Sequence, residues 1–169
     1  MEEFRLVIDA QIVLSMFLVR RDRPGEVSPK RRLLHLLTAP GVRWLWSPDI
    51  IADYEAGAMA IENNRKLMAR AAFDRAGFTL FTQALRFHAR VRVSAATMRR
   101  ARQRLEQAVK VKDRDLDDAV YLACAVDGDA FLLVSKDSDL RILGDEYEGV
   151  LIAGWQRLEE ELRARGIAL

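Results

Sequence analysis

Four acidic side chains stand where the chain changes from one kind of element to another. Asp9 ends the β-branched run "FRLVID". Asp137 follows the apolar run "AFLLVS". Glu55 and Asp118 lie within apolar helical stripes, with Ile51 and Met59 flanking the first and Leu122 and Ala125 following the second. Residues 113–140 hold eight aspartates around two apolar runs. Like charges held close repel, and bringing them toward a core costs more still, so a compensating divalent cation is the chemistry these residues suggest. Carboxylates are hard oxygen donors suited to Mg²⁺ or Mn²⁺, and no Cys/His spacing for zinc accompanies them.

Each acid also has a purely structural reading. Asp118 can complete a capping box begun by Asp115, Asp137 can cap the following turn, Glu55 can pair with a base, and Asp9 can form a turn. Their common placement argues for the joint reading, because ligands of open α/β sheets bind beyond the carboxyl ends of the strands.

The elements that must position these acids alternate. Strands are expected over about 4–9, 42–46 ("VRWLW"), 91–93 ("VRV"), 130–135 and 149–154 ("GVLIAG"). Helices are expected over about 11–20, 30–39, 64–76, 79–89, 95–110, 115–127 and 155–165, with a short helical turn over 138–143. Another helix opens at Ser47 as N-cap with Pro48 at its first position, a strong start signal. "RRDRPGEVSP" reads as a loop, and Gly77 separates two helices. Apolar strands alternating with helices predict an α/β fold with three layers, α/β/α, around a five-stranded parallel sheet, as one domain over residues 1–169.

A chain of 169 residues with half its residues apolar can bury a full core. No apolar run is long enough for a membrane span, and the start lacks the basic flank of a signal peptide. The single Cys124, inside "AVYLACAV", reads as a buried thiol compatible with a cytoplasmic location. Residues 1–112 carry 21 Lys and Arg against 11 Asp and Glu, whereas residues 113–169 carry 6 against 14. That asymmetry suits a polyanion-attracting body beside an acidic centre.

"LVIDAQIVLS", "SPDIIADYEA" and "DLDDAVYLACAVDGDAFLLVSKDSDL" together resemble the motifs of PIN-domain nucleases, in the same order and along the length of the chain. The resemblance implies metal-dependent endonucleolytic cleavage of RNA, with Asp9, Glu55, Asp118 and Asp137 as the catalytic, metal-binding quartet and Mg²⁺ or Mn²⁺ as cofactor. It implies supporting roles for Ser135 and Asp139, and for Gln11, which stands where the family usually has Asn. It also admits a toxin role with an antitoxin protein partner, and a homodimer. RNA would be held by basic residues, with Arg99, Arg100, Arg102 and Arg104 as the first candidates and the 20–32 segment as the second. The alternative is a catalytically weak nucleic-acid-binding or regulatory protein on the same scaffold.

Overall fold

The computed structural model describes residues 3–23, 25–26, 28–108, 118–136 and 138–169. Its elements are β1 (Phe4–Ile8), α1 (Ala10–Ser15), β2 (Leu18–Arg20), a 3-10 segment (Pro29–Leu37), β3 (Val42–Trp44), α2 (Pro48–Asn63), α3 (Arg65–Met68), β4 (Ala71–Phe73), α4 (Arg75–Leu85), α5 (Ala95–Ala108), α6 (Ala119–Asp127), β5 (Leu132–Val134), α7 (Ser138–Arg141), β6 (Glu146–Tyr147), β7 (Val150–Ala153) and α8 (Trp155–Ala164).

Five strands form one sheet in the order β3-β1-β5-β7-β6. β1 lies parallel to β3 and β5, and β5 lies parallel to β7. Leu6, Val7 and Ile8 of β1 are fully buried, as are Leu132, Leu133 and Val134 of β5. Helices on both faces require such runs, apolar on both sides of the strand. The fold class follows the sequence reading, with a correction at the edge. The fifth strand is β6, paired antiparallel with β7 through a two-residue register, so the sheet is mostly parallel. The expected strand over 91–93 is absent; there, a single bridge joins Trp46 to Arg90.

A second correction concerns residues 16–20 and 71–73. Helix α1 ends at Ser15, and β2 pairs antiparallel with β4 in a separate two-stranded ribbon. The expected helix over 64–76 is thus the short α3 followed by β4, and Gly77 lies inside α4 rather than between helices. The ribbon buries Phe17 against Phe73, Phe78 and Phe81, with ring centroids 5.5–6.4 Å apart. Trp44 and Tyr54 extend this aromatic cluster to the sheet and to α2. Ser47 caps α2 by accepting from the Ile50 N–H at 3.3 Å, as its sequence predicts.

Right-handed crossovers place the start of the helix that follows a strand at the strand's carboxyl end. A helix that precedes a strand and runs antiparallel to it also starts at that end. The starts of α1, α2, α6 and α8 therefore surround the carboxyl ends of β1, β5 and β7.

Candidate active site

Asp9 lies at the centre of this end. It leaves β1 in extended geometry and caps α1, with Oδ1 accepting from the Ile12 N–H at 3.0 Å. Its Oδ2 accepts from the Ser135 hydroxyl and from the Lys136 N–H, the latter at 3.1 Å. Asp9 is only 3 % exposed. A buried carboxylate is costly unless hydrogen-bonded, and here the two residues that follow β5 supply two of the donors. Ser135 is fully buried, so its hydroxyl fixes the Asp9 carboxylate across the β1–β5 seam.

Lys30, in the 3-10 segment, also faces Asp9. Burial, and then the neighbouring Lys136 ammonium, push its pKa down to about 8, against the pull of Asp9. Two lysines and the deepest carboxylate thus share one corner of the site.

Asp118 precedes α6 at the same end, half-buried, and its side chain makes no capping hydrogen bond to the helix. Asp115, the partner in the capping-box reading of this residue, lies outside the described residues. One turn on, Tyr121 donates its hydroxyl to Asp53 of α2. The Tyr121 ring stacks on Tyr54 with centroids 6.3 Å apart, and Tyr54 in turn donates to the Ile8 carbonyl beside Asp9. Burial raises the pKa of both phenols, and the negative charge of Asp9 and Asp53 adds to the effect, so both remain proton donors. Through these two tyrosines, α2 and α6 are locked to the end of β1.

Glu55 lies elsewhere. Its carboxylate pairs with Arg75 at 3.1 Å, its side chain is 43 % exposed, and Arg75 also binds Glu62. The sequence stripe Ile51–Glu55–Met59 suggested an inward face, but Met59 is 57 % exposed. The buried stripe of α2 is Ile50, Tyr54 and Ala58 with Ile51, and Asp53 flanks it on the α6 side. Sequence reasoning did not single out Asp53, which the structure sets beside α6. The usable signal was the longer apolar register Ile50–Tyr54–Ala58, which places the acid at position 53, not 55, beside the inward face.

Gln11 is exposed in the first turn of α1, next to the Asp9 cap. Asp137 and the Asp139 side chain lie outside the described residues. Among the described residues, no three His, Cys, Asp or Glu side chains are grouped closely enough to hold a metal ion. The acids at this end, Asp9, Asp53 and Asp118, offer carboxylate oxygens of the kind that suits a hard divalent cation, with Lys30 and Lys136 beside Asp9.

The arginines of α5 are exposed on the side of the helix away from the buried Thr97, Ala101 and Leu105. Arg100 is engaged in a bidentate pair with Glu148, at 3.0 Å for both contacts. Thr97 and the Ser94 N–H bind Asp127 at the last turn of α6. Arg100 is thereby fixed near the amino end of β7, at the pole opposite Asp9. Arg99, Arg102 and Arg104 extend along the same exposed helix.

The family profile described as PIN domain matches residues 5–139. A search of curated proteins finds no match. Among solved structures, PAE2754 from Pyrobaculum aerophilum is similar with a TM-score of 0.53 at 12 % identity, covering 97 % of this chain and 99 % of that one. VapBC2 from Rickettsia felis, solved bound to a DNA fragment from their promoter, is similar with a TM-score of 0.52 at 14 % identity, covering 89 % and 98 %. The sheet order, the buried Asp9 at the end of β1 and the profile match over most of the chain agree, and the chain belongs to the PIN-domain family.

Proposed function

We propose that the protein is a metal-dependent endoribonuclease whose acidic centre is Asp9, Asp53, Asp118 and Asp137. The observation that carries this reading is the Asp9 carboxylate, buried at the end of the central strands and held by Ser135 and Lys136 while α2 and α6 bring Asp53 and Asp118 to the same end. The α1 cap needs only a side-chain oxygen, which Ser, Thr or Asn would also supply, so a charged acid at that depth points to a further role. Asp9, Asp118 and Asp137 would hold Mg²⁺ or Mn²⁺, with Asp53 in the place that the sequence reading gave to Glu55. Such an ion supplies a nucleophile at neutral pH and stabilises charge on a phosphodiester.

The residues of the chain do the rest. Ser135 keeps the Asp9 carboxylate in one orientation, and Gln11, on the exposed side of the α1 cap, is placed to steady it from solvent. Tyr121 fixes Asp53. Lys30 and Lys136 supply positive charge beside the place where a phosphate must approach. Asp139, on α7, is assigned a supporting role on the family resemblance.

The likeness to VapBC2 supports a narrower version, in which the chain is the toxin of a toxin–antitoxin pair and binds an antitoxin protein. The rival reading is a binding or regulatory protein without turnover. Incubation of labelled RNA with Mg²⁺ or Mn²⁺, with and without chelator, separates these readings. Cleavage that needs metal and disappears in Asp9→Asn is expected. Metal-dependent binding with no cleavage would favour the rival, and equal cleavage by Asp9→Asn would expose a contaminating nuclease.

A further inference from the structure

A cleft of about 730 Å³ opens directly beside the acidic centre, between the ends of β5 and β7 and the start of α8. Ser135, Lys136, Arg141, Trp155, Gln156 and Arg157 line it. Ser135 is the residue whose hydroxyl binds Asp9, so the cleft and the acidic centre share a wall. Arg157 is committed to Glu160 and Glu161. Arg141 is exposed and has no ion pair among the described residues, and Lys136 is likewise exposed. Trp155 rests partly on the core and is partly open.

We propose that this cleft binds one nucleotide of single-stranded RNA next to the cleaved phosphodiester, with its base on the Trp155 indole and its phosphates on Lys136 and Arg141. The proposal rests on the nuclease reading and adds to it a base-binding subsite built from Trp155, Lys136 and Arg141. An indole offers a stacking surface to any base, but a base within a duplex has both faces occupied and cannot use it. Asp145 and Glu160, which also line the cleft, repel phosphate and leave it the Lys136–Arg141 side. The volume lies in the range of ordinary ligand pockets, about 300–1,000 Å³. Arg100 becomes secondary in this arrangement, because its guanidinium is committed to Glu148 at the far pole.

Tryptophan fluorescence offers a test that does not depend on turnover. Of the three tryptophans, Trp44 and Trp46 are 0 % and 8 % exposed, which leaves Trp155 as the reporter. With chelator present, a short single-stranded oligoribonucleotide should quench the emission of the intact protein. Trp155→Phe should lose the quenching while keeping most of the affinity, read by anisotropy of the labelled strand. Trp155→Leu should bind roughly tenfold to a hundredfold more weakly, the range expected for one stacked base. A blunt duplex of the same sequence should bind more weakly than the single strand, and Arg141→Ala should lower the slope of log affinity against log salt by about 1. Undiminished quenching in Trp155→Phe, unchanged affinity in Trp155→Leu, or equal affinity for single strand and duplex would each overturn the proposal. If the intact protein binds in this Trp155-dependent way but never cleaves with Mn²⁺, the nuclease reading fails and the subsite stands. If it cleaves and Trp155→Leu binds and cleaves as the parent does, the subsite alone fails.

Discussion

Asp53 and Glu55 are two residues apart and face different surroundings, so they can be told apart by substitution. Asp53→Asn keeps the volume and removes the charge that Tyr121 serves, and it should lower cleavage at least about a hundredfold if the acid is part of the metal centre. Glu55→Gln should leave turnover close to that of the parent while loosening only the exposed pair with Arg75. The reverse pattern would restore Glu55 to the centre and remove Asp53 from it. Asp118 supports a second prediction. Because its side chain makes no capping hydrogen bond to α6, Asp118→Asn should lose little stabilisation of that helix while relieving repulsion with the other acids. The metal-free variant should melt above the parent, and added Mg²⁺ should raise the melting temperature of the parent much more than that of the variant. If capping dominated instead, the variant would lose roughly 0.3–1 kcal/mol with no dependence on metal. Asp9 and Asp118 were legible in the sequence because each stands at a strand or helix terminus with apolar neighbours on one side. Asp53 was not, because a four-residue spacing fits two overlapping stripes on α2 and only packing against α6 decides between them.

Among the elements, the α4 start shows how the scaffold holds the basic side of the site. Asp74 caps the helix by accepting from the Gly77 N–H at 2.9 Å, and it also binds Arg31 of the 3-10 segment at 2.7 Å. The same segment carries Lys30. The Gly77 N–H, followed by Arg31, holds the Asp74 carboxyl below its ordinary value of 3.8. Its contribution is therefore present above the unfolded-state value and is lost as pH falls through the folded one. Asp74→Ala should cost about 0.5–2 kcal/mol near neutrality, and the difference from the parent should shrink in melts taken well below the ordinary carboxylate value of 3.8. A difference that persists in acid would mean that packing, not the cap, carries the effect. Gly77→Ala should also destabilise, although alanine is the better helix former, because its Cβ would come within 2.4 Å of Asp74 Oδ2 and 2.9 Å of Cγ. Helix starts of this kind, like Ser47–Pro48, are local and could be read from sequence. The β2–β4 ribbon could not, because "FLVRR" and "AAF" become strands only by pairing with each other, and β propensity reflects such context more than composition.

Across the whole molecule, the core leaves Cys124 fully buried on α6, and burial pushes its thiol up to about 12. A thiol reagent at neutral pH should therefore label the folded protein no faster than the core opens, and denaturant should expose one reactive site. Fast labelling of the native protein would contradict the packing of α6 against the sheet. The α/β alternation behind that core was legible because β5 is apolar throughout and β1 is apolar apart from Arg5, whereas the two-residue β6 carries no pattern of its own.

That short strand has a bearing on how copies of the protein can meet. A sheet edge recruits another chain when it offers a long row of unpaired backbone groups, and natural edges avoid this by being short or charged. Here one border is β6, two residues long with Glu146 on it, and the other is β3, three residues long with Arg43 in its middle. Neither border can template a continuous intermolecular sheet. Self-association should then leave both borders of this sheet unpaired, and amide hydrogen exchange at Val42–Trp44 and Glu146–Tyr147 should be the same in dilute and concentrated solution.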